Sequence, residues 1–187
     1  MMILNKFTLN FFLFCFLSIS TLAQETDKLN DLLSVCKKAK TETEDNGRFV
    51  ITLIDKSDAR YAESMRLYNT ARSSFEEWIE YYMLEVEDII TKKDKVLNET
   101  NLRSKISAAL ENVKTFNTYV EQIPSGNNPA MAKNYVPTVT EVNTCFNSAV
   151  GFIKLIKDAK REKQETMKKD LQLRMSRYHI IEFTSLK

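Results

Sequence analysis

The sequence predicts an all-α protein, an elongated antiparallel bundle of about four helices with coiled-coil-like heptads. The 187 residues include only three Gly and three Pro, which is too few for the many turns of a β-sandwich or barrel. Charged residues make up 28% of the chain and hydrophobic residues 43%, a balance that suits amphipathic helices. Apolar residues also recur at steps of three and four over most of the chain, which is the period of a helix with one buried face.

The first 23 residues have the plan of a secretory signal peptide. Lys6 supplies a positive start, an apolar run extends over residues 11–19, and small residues precede Gln24, so we expect cleavage after Ala23. An uncleaved membrane anchor is the alternative, although the run is shorter than the roughly 20 residues that a spanning helix needs. No later segment is apolar enough to span a bilayer. We therefore expect residues 24–187 to form a single helical-bundle domain that is secreted or periplasmic.

Two helices are predicted in the first half of this domain. Residues 27–45 form the first, with Asn46 and Gly47 as its stop, because glycine adopts the left-handed conformation at low cost. The second extends over about residues 48–97. Its predicted a and d positions are Ile51, Ile54, Asp58, Tyr61, Met65, Tyr68, Arg72, Phe75, Ile79, Tyr82, Val86 and Ile89. Such heptads are typical of coiled coils, although aromatic d residues favour a wider bundle. At its start, a short strand over residues 48–56 and an N-cap at Ser57 are alternatives.

Residues 98–101 are predicted to connect to a third helix that extends to about Ile123. Residues 124–137 form the clearest loop, because they hold all three Pro. Thr138 and Glu141 then have the spacing of a capping box, in which each side chain accepts from a backbone donor at the helix start. A fourth helix follows, and residues 157–187 are predicted to be its basic, more exposed extension and tail, with a weak apolar stripe at Ala159, Met167, Leu171 and Met175.

Two cysteines, Cys36 and Cys145, follow the predicted cleavage site. In an oxidising compartment they permit one disulfide, which would join the first helix to the last. Two free thiols are the other interpretation, because a buried cysteine packs like a small apolar residue.

The sequence contains no recognisable catalytic, metal-binding or cofactor-binding pattern. His179 is the only histidine, which removes paired-histidine zinc sites, di-iron bundle motifs and haem-attachment motifs. There is no glycine-rich phosphate loop and no nucleophile elbow. We therefore expect no enzymatic activity, cofactor or metal, and paired carboxylates in acid–base catalysis are the remaining enzymatic alternative. The formal net charge of +2 predicts no strong attraction to nucleic acid.

The candidate partner surface lies on the second helix and consists of Trp78, Tyr81, Glu77 and Glu85. Trp and Tyr are common anchors of protein interfaces, although Trp78 could instead pack against the first helix. Six acidic residues between positions 76 and 88 form an acidic block, which we interpret as a solvated face complementary to the basic residues 154–177.

We expect an exported, non-enzymatic protein that binds another protein through a helix face, as an adaptor, a chaperone-like protein or an inhibitor of the immunity type. Self-association is the other form of partnership that the heptads allow. A membrane-active function and a structural role in the cell envelope are the alternatives to a binding protein.

Overall fold

The computed structural model describes the backbone of residues 6–124 and 135–181 and the side chains of residues 26–124 and 135–181. Within these ranges the chain is helical, without β-strands, and its five helices pack against each other. They are α1 (Lys6–Leu53), α2 (Ala59–Thr91), α3 (Glu99–Glu121), α4 (Val139–Asp158) and α5 (Arg161–Arg177). The predicted all-α class is confirmed. The signal peptide stays a prediction, and most of the predicted loop 124–137 lies outside the described residues.

The predicted stop of the first helix at Asn46 and Gly47 is wrong, because α1 continues through both residues to Leu53. The Asn46 Nδ2 donates to Asn117 Oδ1 of α3 at 2.9 Å, and Val50, one turn further on, is completely buried. These tertiary contacts stabilise the helical backbone at a sequence that favours a stop in isolation.

The turn between α1 and α2 occupies residues 54–58, so the predicted helix over residues 48–97 is divided there and the alternative of a strand is excluded. The Asp55 carboxylate accepts from both the backbone N–H and the hydroxyl of Ser57 at 2.8 Å. Asp58 is the N-cap of α2 and accepts from the backbone N–H of Arg60 at 2.8 Å. Ser57 is therefore a turn residue, and a carboxylate caps the helix.

The buried face of α2 is wider than the predicted heptad seam. From Tyr68 onward the predicted seam residues are buried, with the exception of the half-buried Arg72, which donates to Glu76 at 2.9 Å. A further set that recurs once per heptad is buried as well: Ser64, Ala71, Trp78 and Glu85. This width arises because α1, α3, α4 and α5 all contact α2.

The connection from α2 to α3 precedes the position predicted from sequence. Helix α2 ends at Thr91, Asn98 is the N-cap of α3, and its side chain accepts from the backbone N–H of Asn101 at 3.0 Å. Residues 99–101 therefore belong to the first turn of α3. Across the two helices, the rings of Tyr68 and Phe116 meet edge to face at 5.5 Å, a favourable aromatic geometry.

Thr138 is the N-cap of helix α4, and both halves of the predicted capping box are present. It runs antiparallel to α1. Lys38 of α1 pairs with Glu141 at the start of α4, whereas the Lys28 side chain contacts Gly151 near the end of α4.

The C-terminal extension is a separate helix, because α4 ends at Asp158 and α5 begins at Arg161. Its buried residues are Met167, Leu171 and Met175, members of the stripe predicted from the sequence. Arg174 of α5 donates to Asn30 of α1 at 3.0 Å, so α5 also packs on the N-terminal part of the bundle. The described part of the tail forms no strand, and His179 has a positive φ of 52°.

Candidate functional site

Two of the four predicted partner-surface residues are buried in the bundle. Trp78 is 0% exposed, and its ring meets that of Phe75 edge to face at 5.1 Å. Glu85 is 6% exposed and accepts from Lys95 at 2.9 Å. Trp78 is therefore a core residue, and neither side chain is exposed to a partner while the bundle is folded.

The other two predicted residues, Glu77 and Tyr81, lie beside Trp78 and Glu85 on α2 but closer to the solvent. The Glu77 side chain is 68% exposed and accepts from Lys105 of α3 at 2.5 Å. Lys105 also lies over the ring of the half-buried Tyr81, 5.4 Å from its centroid. Burial raises the pKa of Tyr81, and its hydrogen bond with Glu85 acts in the same direction, so the phenol stays protonated at neutral pH. Lys105 thus joins both residues into one surface that spans α2 and α3.

Leu84 extends this surface and was missed by the sequence analysis. Its side chain is 59% exposed, and helical periodicity aligns it with Glu77, Glu80 and Tyr81 on one face. We call these four residues the α2 outer face. The sequence pattern could have indicated this residue, because Leu84 occupies the heptad position farthest from the seam, where a polar residue is usual.

The acidic block of α2 is compensated by cations of the same chain. Five of its six carboxylates form ion pairs with residues in the described part of the protein: Glu76 with Arg72, Glu77 with Lys105, Glu85 with Lys95, Glu87 with Lys168 and Asp88 with Lys92 and Lys95. Lys168 belongs to the basic helix α5, in agreement with the interpretation of two complementary faces. Apart from the buried Glu85, these carboxylates are partly or largely exposed, and ion pairs of that kind add little stability. Together the ion pairs leave the block without a large net field.

A groove of about 420 Å³ lies between the N-terminal part of α2 and the C-terminal part of α3. Its lining includes Leu67 and Tyr119 together with the ion pair of Arg66 and Glu63. Leu67 and Leu84 are separated along α2 by roughly 25 Å at 1.5 Å per residue. The groove and the α2 outer face are therefore separate surfaces.

The two cysteines predicted as a possible disulfide are brought together in the interior. Cys36 of α1 and Cys145 of α4 are both 0% exposed and are free thiols that contact each other through a side-chain hydrogen bond. Burial raises the pKa of the Cys36 thiol well above its usual value, and the contact with Cys145 adds to this rise. The Tyr82 hydroxyl lies nearby and donates to the Ala149 carbonyl oxygen at 3.2 Å.

Among the described residues, no group of three or more His, Cys, Asp or Glu side chains is arranged to hold a metal ion. His179 is exposed, at the C-terminal end of α5. In the part of the chain that the structure describes, no helix combines the length and apolar character required to cross a membrane.

Comparisons with protein-family models, curated proteins and solved structures find no match to this chain.

Proposed function

We propose that this chain is an exported, non-enzymatic helical protein that binds another protein through the α2 outer face. In this proposal residues 1–23 are a signal peptide, and the remainder is an elongated antiparallel bundle with coiled-coil-like packing along α2. The single observation that supports the binding surface most strongly is the exposed Leu84 beside Tyr81.

The chemistry of the α2 outer face suits a protein partner. Leu84 and the ring of Tyr81 offer an apolar centre, and Glu77, Glu80 and Lys105 offer a polar rim around it. Protein interfaces commonly combine an apolar or aromatic anchor with such a rim. The helix beneath the surface is fixed by the fully buried Trp78 and Tyr82, so that binding requires little ordering of the backbone and little loss of conformational entropy.

Site-specific photo-crosslinking in the native cells tests this surface. A photoreactive amino acid replaces Leu84 in one variant and Leu173 of α5 in a matched control, because the two leucines are 59% and 58% exposed. We expect one foreign protein to be crosslinked in stoichiometric amount from position 84 and not from position 173. Equal products from both positions, or none from position 84, would contradict the assignment of the surface.

A charge substitution provides the quantitative test. Leu84→Glu places a carboxylate in the centre of the proposed interface and should weaken binding of the crosslinked partner about tenfold or more. Leu173→Glu should leave the affinity unchanged. Both variants should keep the free energy of unfolding within about 0.5 kcal/mol of that of the parent, because neither side chain is buried. A retained affinity in Leu84→Glu would exclude the outer face as the binding surface.

The same experiments distinguish the other functions. Crosslinks between two copies of this chain at position 84 would favour a structural oligomer of the cell envelope. Leakage from anionic liposomes at micromolar protein would favour a membrane-active function. Export is tested separately by sequencing the N-terminus of the natural protein, which we expect to begin at Gln24; retention of residues 1–23 would exclude cleavage.

A further inference from the structure

Cys36 and Cys145 occupy facing positions on two closely packed antiparallel helices. The register of α1 and α4 is fixed on both sides of the pair: Lys28 contacts Gly151, and Lys38 pairs with Glu141 at 3.4 Å. The two contacts are separated by the same number of residues on both helices, from 28 to 38 on α1 and from 151 back to 141 on α4. Cys36 and Cys145 lie between these contacts and face each other. The two thiols are therefore brought together by the helix register and not by a flexible loop.

Small side chains permit this close approach of the helices. Ala39 of α1 and Ala149 of α4 are fully buried near the cysteines, and a methyl group added at Gly151 would lie 3.2 Å from the Lys28 Cδ. Disulfides require Cα atoms within about 7 Å of each other, a separation that helices reach only where small residues line their contact. Ala39 lies about one turn of α1 from Cys36, and Ala149 about one turn of α4 from Cys145, so that a small residue flanks each thiol along its helix.

We propose that Cys36 and Cys145 are a disulfide site, and that the chain forms this bond as it folds in the presence of a disulfide oxidant. The proposal rests on the export included in the proposed function, because exported proteins meet such oxidants and cytosolic proteins meet reductants. The oxidant is a small-molecule disulfide or the disulfide of a thiol–disulfide oxidoreductase.

The reaction is a pair of thiol–disulfide exchanges. One protein thiolate attacks a sulfur of the external disulfide, the external S–S bond breaks, and one external thiol leaves from the mixed disulfide. The second protein thiolate then attacks the protein sulfur of that mixed disulfide, and the second external thiol leaves. Both cysteine thiols are oxidised, one external disulfide is reduced to two thiols, and the two protons are taken up by the leaving thiolates or by buffer.

The burial of both thiols determines when the bond forms. An external disulfide cannot reach a sulfur that is 0% exposed, and the raised pKa of Cys36 keeps the thiolate fraction low in the folded bundle. Oxidation therefore takes place before α4 has closed on α1. Once formed, the bond is protected from external thiols by the same burial.

Refolding of the full chain in a redox buffer tests the site. The chain carries Cys15→Ser, so that Cys36 and Cys145 are its remaining cysteines. It is refolded from urea with reduced and oxidised glutathione, quenched with acid, alkylated and digested with trypsin without reduction. We expect the peptides 29–37 and 134–154 to appear as one linked species that reductant separates. We also expect the reduced, folded protein to be oxidised much more slowly than the unfolded chain.

Stability provides the second readout. Cross-linking two residues that are more than 100 positions apart in the chain restricts the unfolded state, and the oxidised protein should melt roughly 10 °C or more above the reduced protein. The matched variants Cys36→Ala and Cys145→Ala should fold, and their melting temperatures should not respond to reductant. A parent protein that refolds with both thiols free for alkylation, or links only to a second copy, would overturn the proposal.

The state of the natural protein separates this proposal from the proposed function. If the refolded chain is linked while the protein isolated from its own cells is reduced, the disulfide site is correct and the proposed export is wrong. If the refolded chain remains reduced, the site is wrong whatever the compartment.

Discussion

Replacement of Asn117 by alanine should destabilise the bundle more than any exposed substitution of the same type. Asn117 is 0% exposed. Its Oδ1 accepts from Asn46 Nδ2 at 2.9 Å, and its Nδ2 donates to the Tyr135 carbonyl oxygen at 2.8 Å. One amide thus holds α1, α3 and the segment before α4 together.

The expected loss in the free energy of unfolding has two sources: the two hydrogen bonds that are removed, and the two buried partner groups that then have no hydrogen bond. Each bond contributes about 1 kcal/mol, and each buried partner left without a hydrogen bond costs a further 1–3 kcal/mol. The higher helix propensity of alanine offsets about 0.5 kcal/mol. Asn117→Ala should therefore lower the free energy of unfolding by about 3.5 kcal/mol or more, and at that lower bound the melting temperature by roughly 7–14 °C.

Urea denaturation followed by circular dichroism measures this loss, with Asn147→Ala as the control because Asn147 is exposed on α4. The control should change the free energy by less than about 0.5 kcal/mol. In a double-mutant cycle, Asn46→Ala and Asn117→Ala should couple by about 1 kcal/mol or more, because each removes the same bond. A loss below about 1 kcal/mol in Asn117→Ala, or strict additivity of the two substitutions, would refute this account of the network.

Two further predictions concern the core and the start of α2. Trp78→Ala should cost about 3–5 kcal/mol by urea denaturation, because the indole is fully buried; a loss typical of a surface site would mean that Trp78 is not a core residue. The hydrogen bond from the Arg60 side chain, with that from its backbone N–H, lowers the pKa of Asp58 to about 2. Its stabilising contribution should be complete above pH 4 and disappear as the pH falls toward 2, so the difference in urea midpoint between the parent and Asp58→Asn should shrink over that interval. A constant difference would contradict this assignment.

Features that depend on neighbouring residues were predicted well from the sequence. The capping box of Thr138 and Glu141 is local, and a short spacing in the chain suffices to specify it. The stripe of Met167, Leu171 and Met175 was also predicted, because helical periodicity places these residues on one face. The class of the fold followed from the same periodicity over the whole chain.

Features that depend on distant residues were predicted poorly. Asn46 and Gly47 favour a helix stop locally, but the partner that stabilises the helix there is Asn117, which the sequence pattern does not connect to them. The burial of Trp78 was ambiguous from the sequence. A heptad assignment gives two buried positions per repeat, whereas the contacts of α2 with its neighbours bury a third, which Trp78 occupies. The meeting of Cys36 and Cys145 likewise depends on the register of two helices whose contact no local pattern specifies.

The contacts of α1 determine the order in which the helices can pack during synthesis of the chain. Lys38 and Asn30 of α1 meet Glu141 and Arg174, which are 103 and 144 residues later in the chain, whereas α2 and α3 meet through Glu77 and Lys105 at a separation of 28 residues. The hairpin of α2 and α3 can therefore fold while the chain is still being synthesised, because short loops close at lower entropic cost. The part of α1 that packs on α4 and α5, although synthesised first, is covered only after those two helices have been made. This interval is when the newly made chain is most exposed to aggregation.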